Sequence, residues 1–251
     1  MTTNDISVLN YINANKLVFT EQMAKALGMS ESTVRRALVR LKKTQRIVRF
    51  HCGASSISEI VLLSSLYARY DLHICEKERI AKKAASMIKF GSNIIMLGGT
   101  TVACMCKYIT NKGLTVITNS MLVFDQLKQD RKTKLIYLGG EYDHDEAEMQ
   151  GALNINVFQN LSVDCLFTSA TALDDENGFL TSRVNAINFY KQCYAASKKV
   201  FMLLDSSKYQ QQDIAVIARF DDVDYLISDN SLPQPTQNKL VLMKINLIIV
   251  D

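Results

Sequence analysis

Tryptophan is absent, proline occurs twice and glycine ten times in 251 residues, and no Ser/Gly/Pro-rich or repeated tract interrupts the chain. Long flexible linkers, disordered segments and solenoid architectures are thereby excluded, and the chain is expected to fold throughout. No segment approaches the ~20 apolar residues of a membrane span. Residues 1–16 lack a basic start, a long apolar run and a small-residue cleavage site, so the expected location is the cytoplasm, with no membrane partner. Cysteine pairs at CxxC spacing are missing too: Cys52, Cys75, Cys104, Cys106, Cys165 and Cys193 are scattered, and His51, His73 and His144 stand far apart. Reduced, mostly buried thiols are expected, with no metal and no cofactor. GxSxG, HExxH, GxxxxGK[ST] and the dinucleotide GxGxxG are also lacking, which removes the common hydrolase, metalloprotease and nucleotide-binding signatures.

What is present is divided unevenly. Residues 1–56 hold nine Lys/Arg against three acids, a net of +6, leaving 20 basic and 22 acidic residues for the remainder. Only this head suits a polyanion. At this length a small module plus one larger domain is the natural division, so residues 1–56 read as one domain, 57–75 as a linker and 76–251 as a second domain.

Three short helices are predicted in the head. Ile6, Leu9 and Ile12 supply the apolar stripe of the first. Thr20 is placed to cap the second, with Met23, Ala24 and Leu27 on one face and Gly28 ending it. Ser30 caps the third, in which Val34, Ala37, Leu38 and Leu41 follow i, i+3, i+4, i+7 spacing. Helix, glycine turn, helix over about 20–39 is a helix-turn-helix. The outward face of its last helix presents Ser32, Thr33, Arg35, Arg36, Arg40 and Lys43. Hydroxyls and guanidinium forks on a helix can reach base edges and phosphates of double-stranded DNA, and Ser30 joins that set. The run from Arg46 to His51 alternates basic and apolar residues, as in a short β-wing beside the backbone, with Arg49 and His51 as contacts. A solvated basic helix is the plainer alternative; the coincidence of turn, cap, stripe and basic face favours DNA.

Residues 76–251 alternate helical patterns with short apolar runs, which predicts an open, largely parallel α/β sheet. Strands are expected at 92–97, 114–118, 134–138, 163–170, 200–204, 223–228 and 245–250. Ile80, Ala84 and Ile88 stripe a helix closed by Gly91, and further helices are expected near 100–110, 119–129, 152–160 and 185–196. Ligands of such sheets gather at the strands' carboxyl ends. Gly98-Gly99-Thr100-Thr101 and Thr118-Asn119-Ser120 both fall there, where backbone N–H groups and hydroxyls suit an anion. Asp205 and Lys208 follow the strand at 200–204. Taken singly, Gly98 and Gly99 read equally as a tight turn, Asn119 and Ser120 as helix caps, and Asp205 with Lys208 as a surface ion pair.

Residues 21–27, Ser30-Glu31-Ser32-Thr33-Val34-Arg35-Arg36 and residues 49–54 together resemble the winged head of DeoR-type sugar-operon regulators. The resemblance continues through residues 76–81, Gly99-Thr100-Thr101, Thr118-Asn119-Ser120, Leu138-Gly139-Gly140 and Asp205-Ser206-Ser207-Lys208, in the family's order. It implies a winged helix-turn-helix followed by an effector and oligomerisation domain of ribose-phosphate isomerase-like fold, and a repressor of carbohydrate genes controlled by a sugar phosphate or related metabolite. The implied ligand residues are Gly98, Gly99, Thr100, Thr101, Thr118, Asn119, Ser120, Lys191, Asp205 and Lys208. Ala37 stands where the family commonly has Asp, Gln45 where a Gly precedes the wing, Leu97 and Gly98 where Asp and Ser are frequent, and Asn185-Ala186-Ile187 where acids precede Lys191. These departures bear on the effector more than on the fold, and Leu97 in particular predicts fewer polyol contacts and a more apolar or smaller effector than is typical.

The expected partners are operator DNA, a small anionic effector and a second copy of the chain, as a homodimer or higher oligomer. An active sugar-phosphate isomerase carrying a DNA-binding head is the alternative, with Asp205 its one obvious base. A DNA-organising scaffold without ligand is a third reading.

Overall fold

The computed structural model describes residues 2–15, 17–44, 46–50, 53–56, 69–70, 72–150 and 158–251. Two compact units, Met1–Leu72 and His73–Asp251, make up the chain.

In the first unit, helices α1 (Thr3–Asn15), α2 (Thr20–Leu27) and α3 (Glu31–Lys43) enclose one core. Val34, Ala37, Leu38 and Leu41 are all buried, as the helical spacing requires. Gly28 terminates α2 in the left-handed region (φ 62°), its N–H donating to the Ala24 carbonyl, a conformation that costs glycine little. Ser30 caps α3 through its side chain, which accepts from the Thr33 N–H at 3.2 Å. Thr20 is not a cap: it is the first residue of α2 and buried, and Gln22 instead accepts from the Phe19 N–H at 3.3 Å. The stripe of α1 is also turned from the expected one. Val8, Leu9 and Ile12 are buried with Asp5, and Ile6 is 48% exposed. The wing is an antiparallel pair, β2 (Ile47–Phe50) with β3 (Gly53–Ser56), and β3 pairs on its other side with β1 (Leu17–Phe19), a strand not among the sequence expectations.

The second unit opens with α4 (Ile74–Ser86), which buries Ile80, Ala81, Ala84 and Ala85. Its centre is a seven-stranded sheet built from β4 (Asn93–Met96), β5 (Thr115–Thr118), β6 (Lys134–Tyr137), β9 (Cys165–Thr168), β12 (Val200–Leu203), β14 (Tyr225–Asp229) and β15 (Asn246–Val250). The spatial order is β15-β14-β12-β9-β4-β5-β6, and every pairing is parallel. Central strands β9 and β12 are buried at every position, the mark of a parallel sheet covered on both faces. Phe167, Phe201 and Tyr225 stack across three neighbouring strands, with ring centroids 4.8 and 4.7 Å apart.

The remaining elements are short. Helices α5 (Thr100–Cys104), α6 (Cys106–Ile109), α7 (Met121–Leu127) and α8 (Ile187–Ala195) occupy three of the expected helical regions, the first split in two. Of the helix expected at 152–160, residues 151–157 lie outside the described residues and 158–160 form a single 3-10 turn. Three pieces have no counterpart among the sequence expectations: the hairpin of β7 (Glu141–Asp143) and β8 (Glu148–Gln150), the antiparallel sheet of β10 (Ala172–Asp174), β11 (Gly178–Thr181) and β13 (Ala215–Ala218), and α9 (Gln234–Leu242).

Strand order reverses between β4 and β9. From β4 the chain steps outward to β5 and β6, then returns to the other side of β4 and continues through β9, β12, β14 and β15. The crevice at the carboxyl ends of β4 and β9 is the place where an open parallel sheet takes its ligand.

Candidate DNA-binding and effector sites

On α3 the side chains of Ser32, Arg35, Arg36 and Lys43 are exposed and Thr33 is half-buried. Among the described residues Arg35 is tethered to Glu31 alone, one turn back, by a 2.8 Å ion pair with both side chains about half exposed or more (63% and 49%). A pair so exposed adds little stability and yields readily to a phosphate or a base. Arg36 donates from Nε to the Ser32 carbonyl at 3.2 Å. The hydroxyls of Ser32 and Thr33 both lie 2.9 Å from Ser30 Oγ, so Ser30 organises the helix start.

Arg40 departs from the expectation that it faces DNA. Its Nε donates to Asp5 Oδ1 and Oδ2 at 3.0 and 3.2 Å, and its Nη2 to Oδ1 at 2.7 Å. Asp5 is 1% exposed, and the fork clamps α1 to α3. Hydrogen bonding from Arg40 holds the Asp5 carboxyl down at about 2. Arg49 lies on β2 by its backbone, and His51 lies outside the described residues.

In the second unit the structure brings Gly98, Gly99, Thr100, Thr101, Thr118, Asn119, Ser120, Asp205 and Lys208 to one edge of the sheet, each at or just beyond a strand's carboxyl end. Gly99 has φ 122°, and a Cβ there would lie 2.9 Å from the Ser169 Cβ, so the loops after β4 and β9 touch. Ser169 in turn donates to the Leu203 carbonyl at 2.9 Å, tying in β12. Thr100, Thr101, Thr118, Asn119 and Ser120 are buried. Thr118 Oγ1 accepts from the Ser120 N–H at 3.0 Å. Asp205 and Lys208 do not form the ion pair weighed for them. Asp205 caps the 3-10 turn Ser206–Lys208, accepting from the Ser207 N–H and hydroxyl. Lys208 is half-buried and makes no ion pair among the described residues. Asp229, unremarked in the sequence, fixes this turn by accepting from Ser206 N and Oγ at 2.6 and 2.9 Å.

Lys191 is not part of this edge. It is exposed and lines a separate cavity of about 690 Å³ with Ser197, Val200 and Asp224, which lie at the amino ends of β12 and β14. Lys191 thus sits on the side of α8 that faces this separate cavity.

Sequence reasoning missed the strongest charges near the crevice. Glu148, on β8, is 2% exposed and accepts from Arg183 Nη1 at 2.7 Å and Asn119 Nδ2 at 3.2 Å. Arg183 also donates from Nη2 to the Tyr190 hydroxyl at 2.7 Å. The carboxylate rests on Gly98: a Cβ at that position would lie 1.5 Å from Glu148 Oε1. A backbone bridge between Ser120 and Glu148, with Met121 N donating to the Ala147 carbonyl at 2.8 Å, latches the hairpin to the start of α7. Burial pushes the Glu148 carboxyl up and Arg183 beside it works against that. Leu97, by contrast, is wholly buried in the main apolar cluster.

Comparison with known proteins decides the family. Residues 72–230 match the DeoR C-terminal sensor domain, and residues 6–60 match the DeoR-like helix-turn-helix domain. The chain belongs to the DeoR family. Relatives within it include an uncharacterized HTH-type transcriptional regulator, YulB, of Bacillus subtilis, 28% identical with 97% of this chain and 94% of that protein aligned. The transcriptional repressor AccR of Agrobacterium fabrum is 27% identical over 88% of this chain and 89% of its own. The lactose phosphotransferase system repressor of Staphylococcus aureus is 25% identical over 97% and 96%. Among solved structures, a probable sor operon regulator from Shigella flexneri superposes with a TM-score of 0.41 at 9% identity, covering 66% of this chain and 89% of that one. Ribose 5-phosphate isomerase A from Methanocaldococcus jannaschii superposes with a TM-score of 0.38 at 18% identity, covering 53% of each. This DeoR-family chain is thus a transcriptional regulator with a DNA-binding head and a sensor domain, and none of its described helices is long and apolar enough to cross a membrane.

Proposed function

We propose that this DeoR-family regulator represses carbohydrate-utilisation genes, reading operator DNA with α3 and the wing and changing its operator affinity when a phosphorylated sugar enters the crevice at the carboxyl ends of β4 and β9. The observation that carries the first half is the outward face of α3. Ser32, Arg35, Arg36 and Lys43 stand free of the core on a helix whose other face is buried throughout. The relatives support the second half, since one of them is a lactose phosphotransferase system repressor. For an anionic effector the support is Lys208, half-buried beside the crevice with no ion pair among the described residues, together with the backbone N–H groups of Gly99, Thr100 and Thr101.

A catalytic role finds less support. The aligned relatives are transcriptional regulators. Asp205, the one base suggested by the sequence, is held as a cap by Ser207.

A single head makes few base contacts, so two copies reading half-sites about 34 Å apart are part of the reading. Light scattering on the full chain checks this, and a monomer with full operator affinity contradicts it. The test of the effector site is Lys208→Ala in an operator mobility-shift titration against phosphorylated sugars. The variant is expected to bind operator like the parent and to lose the effector response. A variant that responds like the parent removes Lys208 from the site.

A further inference from the structure

Three acceptor-capable oxygens on the segments beside the crevice lack a partner among the described residues. Glu148 Oε1, Asn119 Oδ1 and Ser120 Oγ are all shut from water and have no hydrogen-bond partner among the described residues. Their residues are 2%, 3% and 0% exposed. Buried polar atoms are normally paired, and each one left alone destabilises the state that holds it. Three such atoms on two adjoining segments are therefore unlike ordinary packing. The amide of Asn119 is fixed, because its Nδ2 donates both to Glu148 Oε2 and to the Met149 carbonyl at 3.2 Å, which leaves Oδ1 as the free acceptor.

Beside them lies a cavity of about 310 Å³ lined by Asn119, Glu148, Arg183, Asn185 and the rings of Phe189 and Tyr190, with Glu141 at its rim. Its two carboxylates outnumber its one guanidinium, and that guanidinium is already engaged by Glu148 and Tyr190. A phosphate would find no free cation there. Amides, carboxylates and ring faces suit a neutral polyhydroxylated group, whose hydroxyls donate to the two acceptors and whose carbon skeleton lies on the rings.

We propose that Glu148 and Asn119 form a buried hydroxyl-recognition subsite, which takes the polyol portion of the effector in the cavity between the β7–β8 hairpin and the amino end of α8. The subsite rests on the effector-site reading above and adds to it. It supplies from β8 the carboxylate that Leu97 lacks, so the effector is richer in hydroxyls than Leu97 alone implies. Glu148 Oε1 lies against Gly98 with no solvent access, so a hydroxyl reaches it only as the hairpin lifts from Gly98. Ligand and hairpin displacement are thereby coupled, because the bonds to Oε1 and Oδ1 exist in the liganded state alone. Arg183, which donates to the carboxylate's other oxygen, and Tyr190, which accepts from Arg183, are positioning residues.

The test uses the full chain and a panel of pentoses, hexoses, pentitols, hexitols, their monophosphates and inorganic phosphate, screened by thermal shift and followed by calorimetry. At least one polyhydroxylated compound is expected to bind. Glu148→Gln and Asn119→Ala should each weaken it about 10- to 100-fold. Amide hydrogen exchange over 141–150 in the parent chain should change on adding that compound, a measurement that needs no variant to fold. Binding by both variants within twofold of the parent overturns the subsite, as does a panel without a binder or unchanged exchange in the hairpin. Neutral compounds that bind as tightly as their phosphates, and that Glu148→Gln weakens, uphold the subsite and defeat the anionic effector. Phosphates that Lys208→Ala weakens and Glu148→Gln does not would uphold the anionic effector and defeat the subsite.

Discussion

Asp5→Ala isolates the clamp between α1 and α3. The substitution removes three contacts from the Arg40 guanidinium to Asp5, at 2.7, 3.0 and 3.2 Å, and a 2.7 Å hydrogen bond from the Thr2 N–H. Stranding a fully buried partner would cost ~3–5 kcal/mol. Here the Arg40 side chain is 47% exposed, so the freed guanidinium turns to water and the cost is set by the lost charge-assisted bonds, about 2 kcal/mol. For a domain of this size that lowers the melting temperature by roughly 10 °C. Calorimetry on the full chain should show the shift in the head's transition, leaving that of the second unit in place. Arg40→Ala should destabilise in the same direction, and the double variant should cost less than the two single effects added, since one interaction is removed twice. The slope of operator affinity against salt separates this role from a DNA contact. Losing a phosphate contact lowers the slope by about 0.9, and Arg40→Ala should leave it unchanged. An Arg40→Ala chain that melts like the parent and loses that slope would put Arg40 on the DNA and refute the clamp.

Arg35→Ala or Arg36→Ala should weaken specific operator binding by about 1–3 kcal/mol if the lost contact is to a base edge, read by mobility shift; an unaffected double variant would remove α3 from the groove. Acid should loosen the head in a defined window. Asp5 is depressed in the folded state from an ordinary 3.8 to about 2, so its contribution is present above 3.8 and is lost as pH falls through about 2. Asp5→Ala should flatten that part of the stability profile, and an identical profile would show that the clamp does not titrate there. Gly98→Ala places a Cβ 1.5 Å from Glu148 Oε1 and must push the carboxylate away. About 1–3 kcal/mol of destabilisation is expected by thermal melting, and a parent-like melt would mean that the hairpin does not rest on Gly98.

The head is readable from sequence where its signals are local. Ser30, Gly28 and the stripe Val34, Ala37, Leu38 and Leu41 each act within a turn or two of helix, so spacing alone locates them. Ile6 is misplaced because the buried face of α1 is Val8, Leu9 and Ile12 with Asp5 one turn before them, and a buried Asp is legible only through its pairing with Arg40, 35 residues away. The five inner sheet strands are visible as apolar runs because parallel strands are covered on both faces, and the partly exposed edge strands β6 and β15 keep enough apolar residues to show. The short β7–β8 hairpin carries only polar and mixed residues and leaves no such trace. Glu148 is invisible for the same reason as Asp5: its partners Asn119 and Arg183 lie 29 and 35 residues away, and its meaning depends on touching Gly98. Family position assigns Lys191 to the crevice, whereas its face of α8 lines the cavity at the amino ends of β12 and β14.

The most direct measurement is a titration of the full chain against operator fragments recovered by genome-wide binding, with and without phosphorylated sugars. Expected is salt-sensitive binding to sites beside carbohydrate genes, with at least one phosphorylated sugar changing the affinity tenfold or more. Binding that ignores sequence, or operator affinity that no phosphorylated sugar alters, would contradict a metabolite-controlled repressor.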